Sequence, residues 1–280
     1  MSESLLEAFR VRPELRKGIM RVELLSSSSG EGLACLTYAW PRSESFVHEE
    51  LEPLLPQLAA RGVVANARKQ WLVAGEDRLV QVNTVASRQY PQILMPNTFS
   101  QSNLAVNAEM LKWAAEQTSP RACGNDLLEL CCGNGNFTLP VSANFGRVLA
   151  TEMDKVAIRN VAECSVWSGV TNVTCVRMSA AEVAQALRGD RTFRRLRDAG
   201  VDIKSMDFGT VLVNPPRAGL RREELEAISG IDRVVYISCA PRKLAKDLRR
   251  LPEHRVTTAA LFDQFPFTSH AEVGVVLERG

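Results

Sequence analysis

From residue 127 onward, short and largely apolar runs alternate with longer stretches in which apolar residues recur at helical spacing. The runs fall at 127–130, 148–151, 173–176, 211–213 and 234–238. Strands covered on both faces require runs of this kind, and the stretches between them are long enough for right-handed crossover helices. The pattern predicts an α/β fold built on an open, mostly parallel, Rossmann-like sheet. Two further runs, 259–262 and 273–277, are joined by nine residues, 263–271, that hold two Phe and a Pro but no helical period. Such a linker suits an antiparallel C-terminal hairpin better than a parallel crossover. Ahead of the first run, Val106, Met110, Trp113 and Ala114 stripe one face of a lead-in helix, for which Ser102 is the expected N-cap.

Before Pro96 the pattern is different. Strand-like runs at 21–25 and 33–38 flank a Ser-rich, Gly-containing turn, a hairpin signal. Phe46, Val47, Leu51, Leu54, Leu55 and Leu58 keep helical spacing, with Pro53 and Pro56 kinking or restarting the helix. Further strands are expected at 63–65, 70–73 and 79–82. The expected organisation is a small N-terminal α+β module, 1–96, that covers and helps shape a cleft, followed by a larger domain, 97–280.

Composition narrows the classes. The chain has 280 residues, 45% hydrophobic and 24% charged, with a net charge of +2, so nucleic-acid binding would have to come from clustered charge rather than a global field. No apolar run is long enough to span a membrane, and the N-terminus, with Glu3 and Glu7, does not read as a secretory signal. Seven cysteines (Cys35, Cys123, Cys131, Cys132, Cys164, Cys175, Cys239) are an odd count, which points to reduced thiols in a cytosol-like compartment. None lies in a Cys-x-x-Cys pair or beside a spaced His pair, so no metal is expected.

The first strand of the large domain runs into a loop with Gly133 and Gly135, which permit a tight turn and close approach of a ligand to the backbone before a helix at Thr138. Glu152 ends the second strand about twenty residues on, where an acidic side chain can hydrogen-bond ribose hydroxyls. Thr138 stands where a dinucleotide fingerprint needs its third glycine, so no pyrophosphate site is expected. A cofactor with a base and a ribose but no phosphate fits better, and S-adenosylmethionine is the common one. Asn214-Pro215-Pro216-Arg217 after the fourth strand would flank the same crevice. Cys239 ends the fifth strand, ahead of a helix opening at Pro241. There the helix dipole and Arg242, Lys243 and Lys246 are expected to favour thiolate. Glu272, at a strand mouth among Phe265, Phe267 and Val273, is expected to have a raised pKa and to serve as a base. His270-x-Glu272 lacks the downstream Pro-Cys-x-x-Cys of a zinc deaminase, which excludes that reading.

Together these pieces resemble the tRNA (uracil-5-)-methyltransferase family. The resemblance rests on Asn97-Thr-Phe-Ser-Gln-Ser-Asn103, Leu-Leu-Glu-Leu-Cys-Cys-Gly-Asn-Gly-Asn-Phe ending at Phe137, Arg147-Val-Leu-Ala-Thr-Glu152, Asn214-Pro-Pro-Arg-Ala-Gly219, Tyr236-Ile-Ser-Cys239 and Leu261-Phe-Asp-Gln-Phe-Pro-Phe-Thr-Ser-His270, in family order. The Phe-Asp-Gln-Phe-Pro segment is more similar to the tRNA enzymes than to their ribosomal-RNA relatives, whose cysteine cluster and oligonucleotide-binding barrel are absent from this sequence. The resemblance implies a class I methyltransferase sheet. It also implies Cys239 as nucleophile, Glu272 as proton acceptor, and a S-adenosylmethionine site that includes Gln101, Cys131, Gly133, Gly135, Asn136, Glu152 and Asn214. The implied partner is the T-arm of tRNA, with the uridine at position 54 methylated. A cytoplasmic monomer is expected, with an organelle as the alternative location.

Three positions depart from the family: Cys131 replaces a Tyr, Asn214 an Asp and Ala240 an Asn. The N-terminal module also begins later than is usual in the family. RNA contacts are expected from Arg217, Arg242, Lys243, Phe265 and His270, with further cations at Arg191, Arg194, Arg195 and Arg197 and at Arg221, Arg222, Lys246, Arg249 and Arg250. Two other readings stand beside this one. One is an RNA-binding protein of the same fold that has lost turnover through the three departures. The other is an N-methyltransferase using Asn-Pro-Pro, which Arg217 in place of an aromatic disfavours and which leaves Cys239 without a role.

Overall fold

The computed structural model describes residues 1–119 and 125–280; Cys123 lies outside them. They form two compact units, Met1–Val82 with Ile93–Thr98, and Asn83–Gln92 with Phe99–Gly280.

In the first unit, helices α1 (Ser2–Val11) and α2 (Pro13–Arg16) precede strands β1 (Ile19–Ser26) and β2 (Gly32–Tyr38). Helix α3 (Leu54–Leu58) then leads to β3 (Gly62–Ala67) and β4 (Gln70–Gly75). The four strands lie in chain order, with β2 and β3 parallel and the outer pairs antiparallel. Leu5, Leu15, Leu36, Leu51, Leu54 and Val63 close one core. The single kinked helix expected over residues 46–58 is instead a π-type turn, Val47–Leu51, followed by α3. Pro53 lies between the two, and Pro56 falls in the first turn of α3, where its missing N–H costs no intrahelical bond. Helix α1, which the sequence reading passed over, buries Leu5 and Ala8 at helical spacing.

Strands β5 (Leu79–Val85) and β6 (Arg88–Leu94) pair as a hairpin. Its turn residues, Ala86 and Ser87, both have positive φ (48° and 65°), the left-handed backbone of a type I′ turn without the usual Asn-Gly. Without that signature the sequence does not mark β6 as a strand. The part of this hairpin nearest its turn, Asn83–Gln92, belongs to the second unit.

The second unit continues with α4 (Leu104–Gln117), β7 (Asp126–Leu130), α5 (Thr138–Ser142), β8 (Arg147–Glu152), α6 (Lys155–Ser168) and β9 (Val173–Arg177). Helices α7 (Ala180–Arg188) and α8 (Arg194–Asp198) lead to β10 (Phe208–Val213), α9 (Arg222–Ile228), β11 (Arg233–Ser238), α10 (Pro241–Leu248), β12 (His254–Phe262) and β13 (Glu272–Arg279). The sheet order is β12-β13-β11-β10-β7-β8-β9. Strands β7 to β11 are mutually parallel, and β13 runs antiparallel to both its neighbours. This is the mostly parallel sheet with an antiparallel C-terminal hairpin that the apolar runs predict. The order reverses between β7 and β10, which places a ligand crevice at their carboxyl ends. The cap of α4 is Asn103 rather than Ser102: its side chain accepts from the Val106 N–H at 3.3 Å. Among the described residues no helix is long and apolar enough to cross a membrane.

Candidate active site

The carboxyl end of β7 opens into the glycine loop. Cys131, Gly133 and Gly135 all have positive φ (60°, 56° and 82°), so the backbone reverses sharply. Cys131 adopts this conformation at a steric cost that glycine would not incur. A Cβ at Gly133 would meet no atom within 4 Å, which leaves the backbone there open to a ligand. The Gly133 N–H donates to the Glu152 carboxylate at 2.9 Å, so Glu152 ties the loop to the end of β8.

Two amide contacts that sequence reading missed hold the same loop. Asn136 and Asn107 of α4 exchange two hydrogen bonds, 2.8 and 2.9 Å, between buried side chains. The Asn136 amide, which the family resemblance gives to the cofactor, is thus already engaged within the protein. Asn134 accepts at 2.8 Å from Gln92, which in turn accepts from Asn83 at 3.2 Å. The partners that reach the loop, Asn107 and Gln92, lie 29 and 42 residues from it in sequence, and no local signal marks them.

The reacting groups converge at the carboxyl edge of β10 and β11. Ser238 pairs with Val273 as the last pair of the antiparallel β11–β13 register, and the residues just beyond it, Cys239 and Glu272, lie near enough for the carboxylate to act on the thiol. Glu272 pairs with Phe262 of β12. Its side chain is 3% exposed, its Oε2 has no hydrogen-bond partner, and burial pushes its pKa from 4.5 to about 7. Arg217, after β10, opposes that rise. Asn214 is half-buried at the end of β10.

The thiol of Cys239 departs from expectation. Burial, and then the nearby Glu272 carboxylate, push its pKa up, while Arg217 and, less strongly, a backbone hydrogen bond pull it down. The cations of α10 do not act as expected. Lys243 ion-pairs with the fully buried Asp247 and donates to the Leu220 carbonyl at 3.1 Å. Asp247 also accepts from the Tyr236 hydroxyl at 2.9 Å. Lys243, predicted to touch RNA, is therefore committed to a buried carboxylate, whereas Arg242 is exposed. Several other predicted cations are also paired within the protein: Arg194 with Asp198, Arg195 with Glu182, and Arg222 with Glu226.

The loop between β12 and β13 carries the remaining predicted residues. Phe265 and the exposed His270 form an edge-to-face ring pair, centroids 6.3 Å apart. Behind the hairpin, Trp113 of α4 packs edge-on to Phe262 at 5.8 Å and fills the space over Gly274, where a Cβ would come within 2.6 Å of the indole. Gln264, quoted in the family signature but given no role, is buried with neither amide atom partnered.

A family model described as tRNA (Uracil-5-)-methyltransferase matches residues 1–280. The chain belongs to that family. A tRNA/tmRNA (uracil-C(5))-methyltransferase of Idiomarina loihiensis is 39% identical over 282 residues, spanning 100% of this chain and 76% of that protein. One from Ectopseudomonas mendocina is 43% identical over 273 residues, spanning 97% and 74%. Among solved structures, the tRNA (uracil-54, C5)-methyltransferase of Pyrococcus abyssi in complex with S-adenosyl-L-homocysteine shares the fold, with a TM-score of 0.72 at 18% identity. The alignment spans 98% of this chain and 65% of the archaeal one.

The family's enzymes are S-adenosylmethionine-dependent, and the residues at the β7–β10 crevice fit that cofactor. Gln101 presents a buried Oε1 without a partner, Glu129 in β7 does the same with Oε2, and the space before Gly133 is open. The Glu129 carboxyl is pushed up to about 8 by burial, which keeps it largely neutral near neutral pH.

Proposed function

We propose that this chain methylates C5 of a uracil in tRNA, the T-loop uridine at position 54, through a covalent adduct between Cys239 and C6. The observation that carries the proposal is that Cys239 and a buried Glu272 flank the last pair of the β11–β13 register, with Arg217 acting on both.

Uracil C5 is a weak nucleophile. Addition of the Cys239 thiolate to C6 gives C5 enolate character and solves that problem. The thiol needs help to ionise, because burial and Glu272 both disfavour thiolate, and the Arg217 guanidinium supplies it. S-adenosylmethionine, when bound, supplies the electrophilic methyl group. Glu272 then takes the C5 proton, and the electrons of that C–H bond re-form C5=C6 and expel the thiolate. A carboxyl with a pKa of about 7 can accept this proton and release it to solvent near neutral pH. Gln101, Cys131, Gly133, Gly135, Glu152 and Asn214 line the cofactor's side of the site. Phe265 and His270 offer rings for a base turned out of the T-loop, and Arg217 and Arg242 offer charge for its phosphates.

The test is incubation with tRNA carrying 5-fluorouridine. The C5 fluorine cannot leave as a proton, so wild-type chain should form a denaturant-resistant protein–RNA band and Cys239→Ala none. With ordinary tRNA, the product should be 5-methyluridine. Turnover by Cys239→Ala would remove the covalent mechanism. RNA binding without any methyl transfer by wild type would leave an RNA-binding protein of this fold.

A further inference from the structure

Two thiols that the methyl-transfer chemistry does not use lie against each other in the second unit. The Cys132 and Cys175 sulfurs are 3.7 Å apart, in hydrogen-bonding contact. Strand β8 sets both residues. The Cys132 N–H donates to the Thr151 carbonyl at 3.0 Å, and Cys175 in β9 is the register partner of Ala150. Cys132 also opens the glycine loop: the Gly135 N–H donates to its carbonyl at 3.1 Å, and the next residue, Gly133, donates to the Glu152 carboxylate. Cys175 is held mid-strand, between the register pairs Leu149–Thr174 and Thr151–Val176. The two sulfurs differ in access. Cys132 is 6% exposed, and its hydrogen bond with Cys175 and its burial hold its pKa well above the usual thiol range, whereas Cys175 is half-buried. An oxidant therefore meets Cys175 first.

We propose that Cys132 and Cys175 form an oxidation site, which hydrogen peroxide converts to a disulfide that distorts the glycine loop and weakens S-adenosylmethionine binding. The site is independent of the role given to Cys239. The Cys175 sulfur attacks one peroxide oxygen, the O–O bond breaks, and the thiol proton leaves with the departing hydroxide as water, giving a sulfenic acid. The Cys132 sulfur then attacks the sulfenic sulfur. The S–S bond forms, the S–O bond breaks, and the hydroxide leaves as water with the Cys132 proton. In balance, two thiols lose two electrons and two protons, and one peroxide becomes two waters. A disulfide needs its sulfurs about 2.05 Å apart, so the pair must close from 3.7 Å by about 1.7 Å. The β8–β9 ladder holds Cys175 from both sides, so much of the shift falls on Cys132 and the loop it opens. That disturbs the Gly133–Glu152 contact at the cofactor's side of the site.

The test oxidises wild type with hydrogen peroxide, blocks the remaining thiols and maps disulfide-linked peptides by mass spectrometry. A link between Cys132 and Cys175, cleaved by dithiothreitol, is expected. Binding of labelled S-adenosylmethionine is then measured by equilibrium dialysis. Oxidised wild type should bind roughly tenfold more weakly than reduced wild type, about the weight of one hydrogen bond to a charged group, and dithiothreitol should restore the affinity. Cys175→Ala, treated in the same way, should keep its affinity. Cys239 is present in both proteins, so its oxidation cannot produce the difference. A link through Cys131 or Cys164 instead, no link at all, or an affinity that oxidation changes equally in both proteins or in neither would overturn the proposal. Should Cys175→Ala fold poorly, Cys175→Ser answers the same question.

Discussion

Replacing Glu272 by Gln separates what this carboxyl costs the fold from what it does for the reaction. Burial raises its pKa from 4.5 to about 7, so the folded chain holds this proton more tightly than the unfolded chain does. A raised carboxyl pKa destabilises the protein as pH rises: the cost is absent below the ordinary value and complete above about 7. At about 1.4 kcal/mol per pH unit, ionising Glu272 removes about 3 kcal/mol of stability. Glutamine cannot ionise, and the cost of burying its amide, about 1–3 kcal/mol, does not change with pH. The stability of Glu272→Gln relative to wild type should therefore improve by about 3 kcal/mol between about pH 4 and about pH 8. The assay is urea unfolding across that range, followed by the fluorescence of Trp113, which lies against Phe262 and over Gly274. Trp40, Trp71 and Trp167 are changed to Phe so that this one ring reports. Parallel pH–stability curves for the two proteins would refute the raised pKa and, with it, the argument that Glu272 is tuned to accept a proton near neutrality. In the reaction, the same variant should accumulate a methylated covalent adduct. Free 5-methyluridine at the wild-type rate would assign the proton transfer to another group.

Three further substitutions probe the surroundings of the site. Lys243→Met strands the fully buried Asp247 and should cost about 3–5 kcal/mol in denaturant unfolding, with RNA affinity unchanged under conditions where the variant is folded; a selective loss of RNA binding would restore Lys243 to the RNA surface. Cys131→Gly relieves a positive φ at the start of the cofactor loop and should raise stability by about 1 kcal/mol in the same measurement; a loss would mean that the thiol's packing outweighs the backbone strain. Asn214→Asp restores the family's carboxylate and should raise kcat/KM by roughly tenfold through charge-assisted hydrogen bonds; lower activity would mark Asn214 as suited to a different ligand edge.

The apolar runs of the second unit determined a great deal without any structure. Continuous burial on both faces leaves a signature in consecutive residues, and the sequence ends each run where a loop must carry chemistry: Gly133 and Gly135 after β7, Asn214 after β10, Cys239 after β11. The antiparallel hairpin was legible for the same local reason, because 263–271 has no helical period. The hairpin of β5 and β6 was only half legible, since its turn is Ala-Ser rather than a recognisable turn pair. What tertiary structure alone decided is how the polar groups are used. Lys243 has Asp247 one helical turn on, but only folding buries that carboxylate against Tyr236 and so commits the cation to it, and Asn136 reads as a ligand contact until Asn107 of α4 meets it. Cys239 reads as an activated thiol beside a basic helix, yet its thiol is governed by burial, Glu272 and Arg217. Hydrophobic patterning is written in neighbours along the chain, so sequence carries it. Ionisation and hydrogen-bond satisfaction depend on desolvation and on partners tens of residues away, and only the folded arrangement sets them.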